Sequence, residues 1–544
     1  MEQTLELNVD EAWNQGLNNW NHPNVPRVIT PKTEEDFSQL KEIGKILKSQ
    51  LAFMKYPEFQ TYANLENIVK EIPSNPERAS KAIMKHELGH RFCPYDTITS
   101  LILDHNAKKE LGNVPYSKEE ASKIIMNLFT DMCINTTLAR KGDKDIPWLY
   151  QEVSKSKDKE NNSLWNVYGK SMELAWNQEI LPKDRKINDE ELKAAQEIIN
   201  LFQGNFFDRS KWKDNIREYA RIISKFLKDE QKDKKSELDD ISENIPKELD
   251  EKTATELAKR LAEIGSNGLP TNPQGLKEFK EVMAGFGQGN AVKASIQFYD
   301  MLSNSYNVMF ATKPFGKSRI NPFQPVKWTP SMPLDKLDIN YSSQVGGKLI
   351  PGVNTYAWNT RKRESKHGEE EVVPNLDLYL DSSSSMLNPT EEISLPVLAG
   401  FVVAKKAHKK NANIRSTNFS GNDQYKTQEW TRDLEKIYEN LVIYYKGGTV
   451  FPVNKLLEDG DPKQVLIITD SFIGNENECE SSISELRKRN KNNKVVVYAI
   501  HPVPDSEYLR QAGAEIIQGT TTDIFKKSIG KVNEVYSLWK TLDH

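Results

Sequence analysis

Two histidines four residues apart, with a glutamate directly after the first, are the residues best suited to chemistry here: His86-Glu87-Leu88-Gly89-His90. On a helix, residues i and i+4 share a face. His86 and His90 can then bind one Zn²⁺, while Glu87 acts as general base toward the water the metal activates. The helix is clearly signposted. Asn75 is a capping residue, Pro76 takes the first helical position and Glu77 puts an acid in the first turn. Ala79, Ala82 and Ile83 fall on the same stripe as the two histidines. Chance could place two histidines on a helix, each satisfied by a nearby carboxylate or carbonyl, but the inward stripe favours a metal.

Zinc needs a third protein ligand, and the sequence offers three. Asp96 follows His90 by six residues, although the intervening Cys93-Pro94 lacks a turn-making glycine. His105 lies on the stripe Ile98, Leu101, Ile102 of the next helix, where a lone histidine is more often a satisfied core residue. Asp131 is preferred. Ser117 and Glu120 form a capping box that opens a helix to about Leu138. Ile124, Leu128, Asp131 and Asn135 share one of its faces. An acid and an amide in an apolar stripe must be paired or metal-bound, since burying them alone costs several kcal/mol. The alternative is an Asp–Asn pair that only joins two helices.

A second constellation lies far downstream, at Asn375 to Met386 (NLDLYLDSSSSM). Leu376, Leu378 and Leu380 alternate with Asp377 and Tyr379, the pattern of a short strand with one buried face. It runs into Asp381, Ser383 and Ser385, which present only oxygen, the donor that Mg²⁺ prefers. Gly447-Gly448-Thr449 follows an apolar run, and the strand Val465 to Thr469 ends on Asp470. Loops at three strand ends would gather Asp381, Ser383, Ser385, Thr449 and Asp470.

This D-x-S-x-S…T…D set resembles the metal-ion-dependent adhesion site of von Willebrand factor A domains, over roughly the last third of the chain. Ser471 stands where that family has glycine. The H-E-x-x-H motif, taken with Asn127 to Asn135 (NLFTDMCIN) and this later domain, resembles a family of predicted metal-dependent peptidases. Those proteins join an N-terminal zincin-like domain to a C-terminal von Willebrand A-like domain. The resemblance implies His86, His90 and Asp131 as zinc ligands, Glu87 as base, and Mg²⁺ or another divalent cation at the adhesion-type site. An open position on that cation would take a partner's carboxylate. Two functions follow as expectations. One is an intracellular zinc metallopeptidase acting on a peptide or protein recruited through the C-terminal domain. The other is a non-catalytic adaptor working with a MoxR-type AAA+ ATPase, as stand-alone intracellular von Willebrand A proteins do.

The elements that must position these residues imply several domains, as 544 residues exceed one ordinary core. Residues 1–226 read as a mostly helical domain with a helix from Glu34 to Leu51, and Trp148, Trp165, Trp176 and Trp212 supply apolar surface for a core or for domain packing rather than a binding platform. Residues 227–275 read as a charged linker or exposed helix, since 16 of the 25 residues from Lys228 to Lys252 are charged. Residues 276–372 form an irregular or helical connecting segment, in which GFGQG lacks the Lys-Ser/Thr of a phosphate loop. Residues 373–544 alternate strands and helices: helices at 391–409, 434–441 and around 481–489, strands at 414–419, 465–469, 495–500 and 515–518, and a last helix to Lys540. That pattern predicts a mainly parallel, doubly wound α/β sheet, Rossmann-like, with ligands at the carboxyl ends of its strands.

Composition narrows the setting. A net charge of −4 gives no footprint for nucleic acid. No apolar run reaches the roughly 18 residues a membrane span requires. The acidic start lacks the features of a signal peptide. Cys93, Cys133 and Cys479 are too few and scattered for a disulfide framework. The expectation is a cytoplasmic protein.

Overall fold

Caps written into the sequence set the helices that matter most. In the computed structural model Asn75 accepts from the Arg78 N–H and Pro76 opens the helix Pro76–Gly89. Ser117 and Glu120 close a reciprocal capping box on Lys118–Arg140. The structure describes residues 9–20, 26–55, 59–155, 162–202, 204–227, 246, 248–264, 269–306, 319–346, 349–363, 375–459, 463–469, 473–490, 493–499 and 507–518. The chain divides into two units, Met1–Thr253 and Ala254–His544.

The first unit is mainly α: α1 (Val9–Trp20), α2 (Glu34–Gln39), α3 (Glu42–Leu47), β1 (Ala52–Lys55), β2 (Gln60–Ala63), α4 (Leu65–Glu71), α5 (Pro76–Gly89), α6 (Thr97–Lys109), α7 (Lys118–Arg140), α8 (Asp145–Ser154), α9 (Ser163–Trp176), α10 (Asp189–Phe202) and α11 (Trp212–Ile223). Helices α1 and α4 to α11 share one core, in which Leu88, Phe129, Ile134, Tyr168, Ile216 and Tyr219 are buried, while Phe37 of α2 and Leu47 of α3 join Phe53 and Tyr62 in a smaller one. The helix expected from Glu34 to Leu51 is instead the pair α2 and α3, broken at Lys41, whose φ is 55°. The chain doubles back so closely that a Cβ on Gly44 would lie 1.8 Å from the Phe37 carbonyl oxygen. β1 and β2 pair antiparallel, and Ile29 adds a parallel bridge on the far side of β2.

The second unit contains α12 (Glu251–Ala262), α13 (Gly275–Gly285), α14 (Ala291–Ser303), β3 (Arg319–Lys327), α15 (Ile339–Gly346), β4 (Tyr356–Arg363), β5 (Asn375–Asp381), α16 (Leu395–Lys409), β6 (Ile414–Phe419), β7 (Tyr425–Thr431), α17 (Leu434–Leu441), α18 (Val453–Leu456), β8 (Lys463–Thr469), α19 (Glu476–Arg489), β9 (Lys494–Ala499), α20 (Glu507–Gln511) and β10 (Glu515–Gln518). The unit boundary falls within the stretch read as a linker. That stretch contains α12, while 228–245, 247 and 265–268 lie outside the described residues. β3 and β4 give the connecting segment a two-stranded antiparallel sheet.

The main sheet runs β10-β9-β8-β5-β6-β7. All its neighbours are parallel except β6 and β7, which pair antiparallel. The edge strand β7 departs from the expected alternation of strand and helix. Helices cover both faces. Cys479, Ile483 and Leu486 of α19 pack with Tyr379, Val465, Ile467 and Val497, while α16 packs on β5 and β6 and stacks Phe401 against Tyr438 of α17 at 4.1 Å. Consequently Asp377 and Tyr379 are buried, not turned to solvent as the strand's alternation implied. The helix expected from Glu391 starts at Leu395, capped by Ser394. α19 begins earlier than expected, at Glu476, and the last helix to Lys540 lies outside the described residues. Among the described residues no helix is long and apolar enough to cross a membrane.

Candidate metal centre

Close packing of two helices builds the first site. Gly89, inside the H-E-x-x-H motif, faces α7, and a Cβ there would come within 2.3 Å of Ile134 Cγ2. The missing side chain lets α7 approach the end of α5 that carries the histidines. Asp131 then meets both. His86 Nε2 lies 3.2 Å from His90 Nε2, and each lies 3.5 Å from Asp131 Oδ1. Donors around a tetrahedral zinc at 2.0–2.1 Å are separated by ~3.3 Å. The triangle matches that edge.

The far ring nitrogens fix the protonation. His86 Nδ1 donates to Asn135 Oδ1 at 2.8 Å, and the Asn135 amide nitrogen donates to the Tyr150 hydroxyl at 2.7 Å. His90 Nδ1 donates to the Cys93 carbonyl at 3.2 Å. With the protons on Nδ1, both Nε2 atoms turn lone pairs toward the Asp131 carboxylate. Asp131 Oδ1 is buried and accepts no hydrogen bond. Three electron pairs facing one another repel unless a cation lies between them, so this donor set fits a divalent metal.

Burial sets the remaining electrostatics. It pushes the Glu87 carboxyl up to about 7, with His86 opposing and the Asp131 charge adding. Burial likewise raises Asp131 to about 6, against the pull of His86. His90 is lowered to about 3 by burial and by His86, so it stays neutral. Glu87 is 3% exposed, and its Oε2 is buried without a hydrogen-bond partner. His86, Glu87 and Asp131 all line one cavity of about 130 Å³. Such an arrangement can hold a metal at one end and take a proton beside it.

Of the other third-ligand candidates, Asp96 is engaged as the N-cap of α6, accepting from the Thr99 N–H at 2.7 Å. His105 lies on α6 outside the donor triangle, which comprises His86, His90 and Asp131. Asn135 is no partner of Asp131; it orients His86. Its place one turn after Asp131 on the same stripe was a usable signal. Tyr150, which holds Asn135, and the Cys93 carbonyl gave none. Trp176 and Trp212 are core residues as expected, whereas Trp165 borders the cavity.

In the second unit the serine loop leaves β5 at the sheet centre, where the chain order reverses between β5 and β8. Asp381 Oδ1 accepts from the Ser383 N–H at 2.8 Å, and Oδ2 accepts from the Thr469 hydroxyl at 2.7 Å. The Ser383 and Ser385 hydroxyls are 3.2 Å apart, near the ~2.9 Å edge of an oxygen octahedron with 2.0–2.1 Å bonds. The loop bearing Thr449 lies alongside: Lys446 N–H donates to the Ser382 carbonyl and Ser384 N–H to the Gly447 carbonyl, both at 3.0 Å. Asp381, Ser383 and Ser385 thus share one loop beside that of Thr449, while Asp470 lies outside the described residues. Thr469, its neighbour, was missed as the group that holds Asp381. These oxygens suit a hard divalent cation.

No protein-family model matches the chain, and no curated protein matches it.

Proposed function

We propose that the chain is a zinc-dependent metallopeptidase whose second unit is a von Willebrand A-like docking domain. One observation carries the reading: two unprotonated imidazole nitrogens and an unpartnered carboxylate oxygen converge at tetrahedral spacing, with an orphaned glutamate beside them. Zinc held by His86, His90 and Asp131 would supply Lewis acidity toward a carbonyl and acidify water at its open position. Glu87 accepts the proton and returns it to the leaving amine. Asn135 and the Cys93 carbonyl keep both imidazoles in the metal-binding tautomer. A structural zinc site, closed by four protein ligands, needs no such base.

Purified protein is expected to carry one zinc per chain, and His86→Ala/His90→Ala to carry none. Asp131→Asn should weaken binding more than Asp96→Asn. Metal analysis that finds zinc in the double variant would move the site elsewhere. Acid should compete. Without metal, Asp131 keeps its proton up to about pH 6, and zinc must displace it. Affinity should therefore fall roughly tenfold per pH unit below that point for each proton displaced, and level off above it.

The second unit supports docking. Asp381 would anchor a Mg²⁺ whose last position takes a carboxylate from a partner, for which a MoxR-type AAA+ ATPase is the first candidate. Asp381→Ala should abolish divalent-dependent capture of that ATPase while the fold persists, and Ser383→Ala should weaken it less. Pull-downs with and without EDTA measure this; capture indifferent to both chelator and mutation would remove the docking role. A metal-loaded chain that cleaves no peptide even with the ATPase would leave the adaptor function alone.

A further inference from the structure

The cavity beside the metal centre is too small for a nucleotide or a drug-sized cofactor, whose pockets begin near ~300 Å³. At about 130 Å³ it approaches the ~150 Å³ apolar cavity that accepts a single benzene ring. Its walls have matching chemistry. Leu128, Leu149 and Val153 supply aliphatic surface, and Tyr150, Trp165 and Tyr168 supply aromatic surface. The Tyr150 and Trp165 rings lie 6.1 Å apart and nearly parallel, at 7°, and Tyr168 is tilted 53° to Tyr150. A wall of this kind offers another ring edge-to-face contact beyond simple burial.

The polar lining consists of His86, Glu87, Asp131 and Asn135, with the hydroxyl-bearing Tyr150 and Tyr168. Gln50 also lines the cavity; it is 4% exposed, and its Oε1 has no hydrogen-bond partner.

We propose that the centre acts on peptides that seat one large apolar side chain, aromatic ahead of aliphatic, in this cavity beside the scissile bond. The assignment rests on the metallopeptidase reading, because the metal centre supplies the polar end of the site.

The test is calorimetric binding of glycine, leucine and phenylalanine hydroxamates to the zinc-loaded full chain, with no turnover required. Phenylalanine hydroxamate should bind roughly 10–100-fold more tightly than the glycine compound, with leucine between them. Val153→Phe, on a half-buried wall position, should erase that preference while the zinc content persists. Val153→Ala should extend the preference to tryptophan hydroxamate. In metal-free protein, benzene should shift amide resonances around Leu128 and Val153, and less so in Val153→Phe. A flat hydroxamate series with zinc bound overturns the pocket, even if peptides are cleaved. An aromatic preference in binding without cleavage of any aromatic-containing peptide supports the pocket and sinks the peptidase reading instead.

Discussion

Glu87→Gln is expected to bind zinc as tightly as the wild type and to lose peptide cleavage by roughly 10²–10⁴-fold. The amide has the shape of the carboxyl but no capacity to take a proton. Glu87 is not among the metal-binding donors, so zinc content should not change. Stability should change little as well. The side chain is already buried, and burial already drives its carboxyl toward the neutral form. Turnover and zinc content therefore separate the two roles: His90→Ala should lose both, Glu87→Gln only turnover. Cleavage that survives Glu87→Gln would place the base elsewhere. Zinc lost from the same variant would make Glu87 a ligand and demote one of the three donors.

How much of this was legible in the sequence depended on distance along the chain. The two histidines obey helical geometry over four residues, and local caps fixed their helix, so their shared face needed no tertiary information. Asp131 was reachable because an acid in an apolar stripe must find a partner. What it meets depends on helix packing, through Gly89 against Ile134, and that contact leaves no local mark. The cavity was hidden for the same reason. Its wall comes from α5, α7, α8, α9, the start of β1 and the segment before it, and each contributes residues that look like ordinary core. The break between α2 and α3 was hidden by good helix formers on both sides of Lys41. β7 was missed because a half-exposed edge strand such as YKTQEWT carries no apolar alternation. In β5 the alternation was real but its meaning was wrong: helices cover both faces, so the polar face is buried too.

Burying that polar face creates the largest stability effect to be expected in the second unit. Asp377 is wholly buried. It accepts from Arg415 Nε at 2.9 Å and Nη2 at 2.5 Å, and pairs with Lys463 Nζ at 2.9 Å. Arg415 also reaches Asp459 at 2.8 Å and the Lys455 carbonyl at 2.7 Å. Lys463 donates to the Leu456 carbonyl at 2.8 Å, and burial lowers its pKa. Two cations thus depend on one carboxylate inside the sheet. Asp377→Ala leaves both with only part of their compensation, and removing one partner of a buried pair typically costs about 3–5 kcal/mol. For a unit of this size that is a fall in melting temperature on the order of 10 °C. Replacing all three charges together, as Asp377→Leu/Arg415→Met/Lys463→Met, should cost much less, because the penalty arises from stranded charge and not from lost attraction. Calorimetry of the single and triple variants decides between these. Equal losses in both would mean that the network contributes through attraction and packing, and the desolvation argument would fail. Zinc bound in the first unit serves as an internal control, since Asp377 contributes no ligand there.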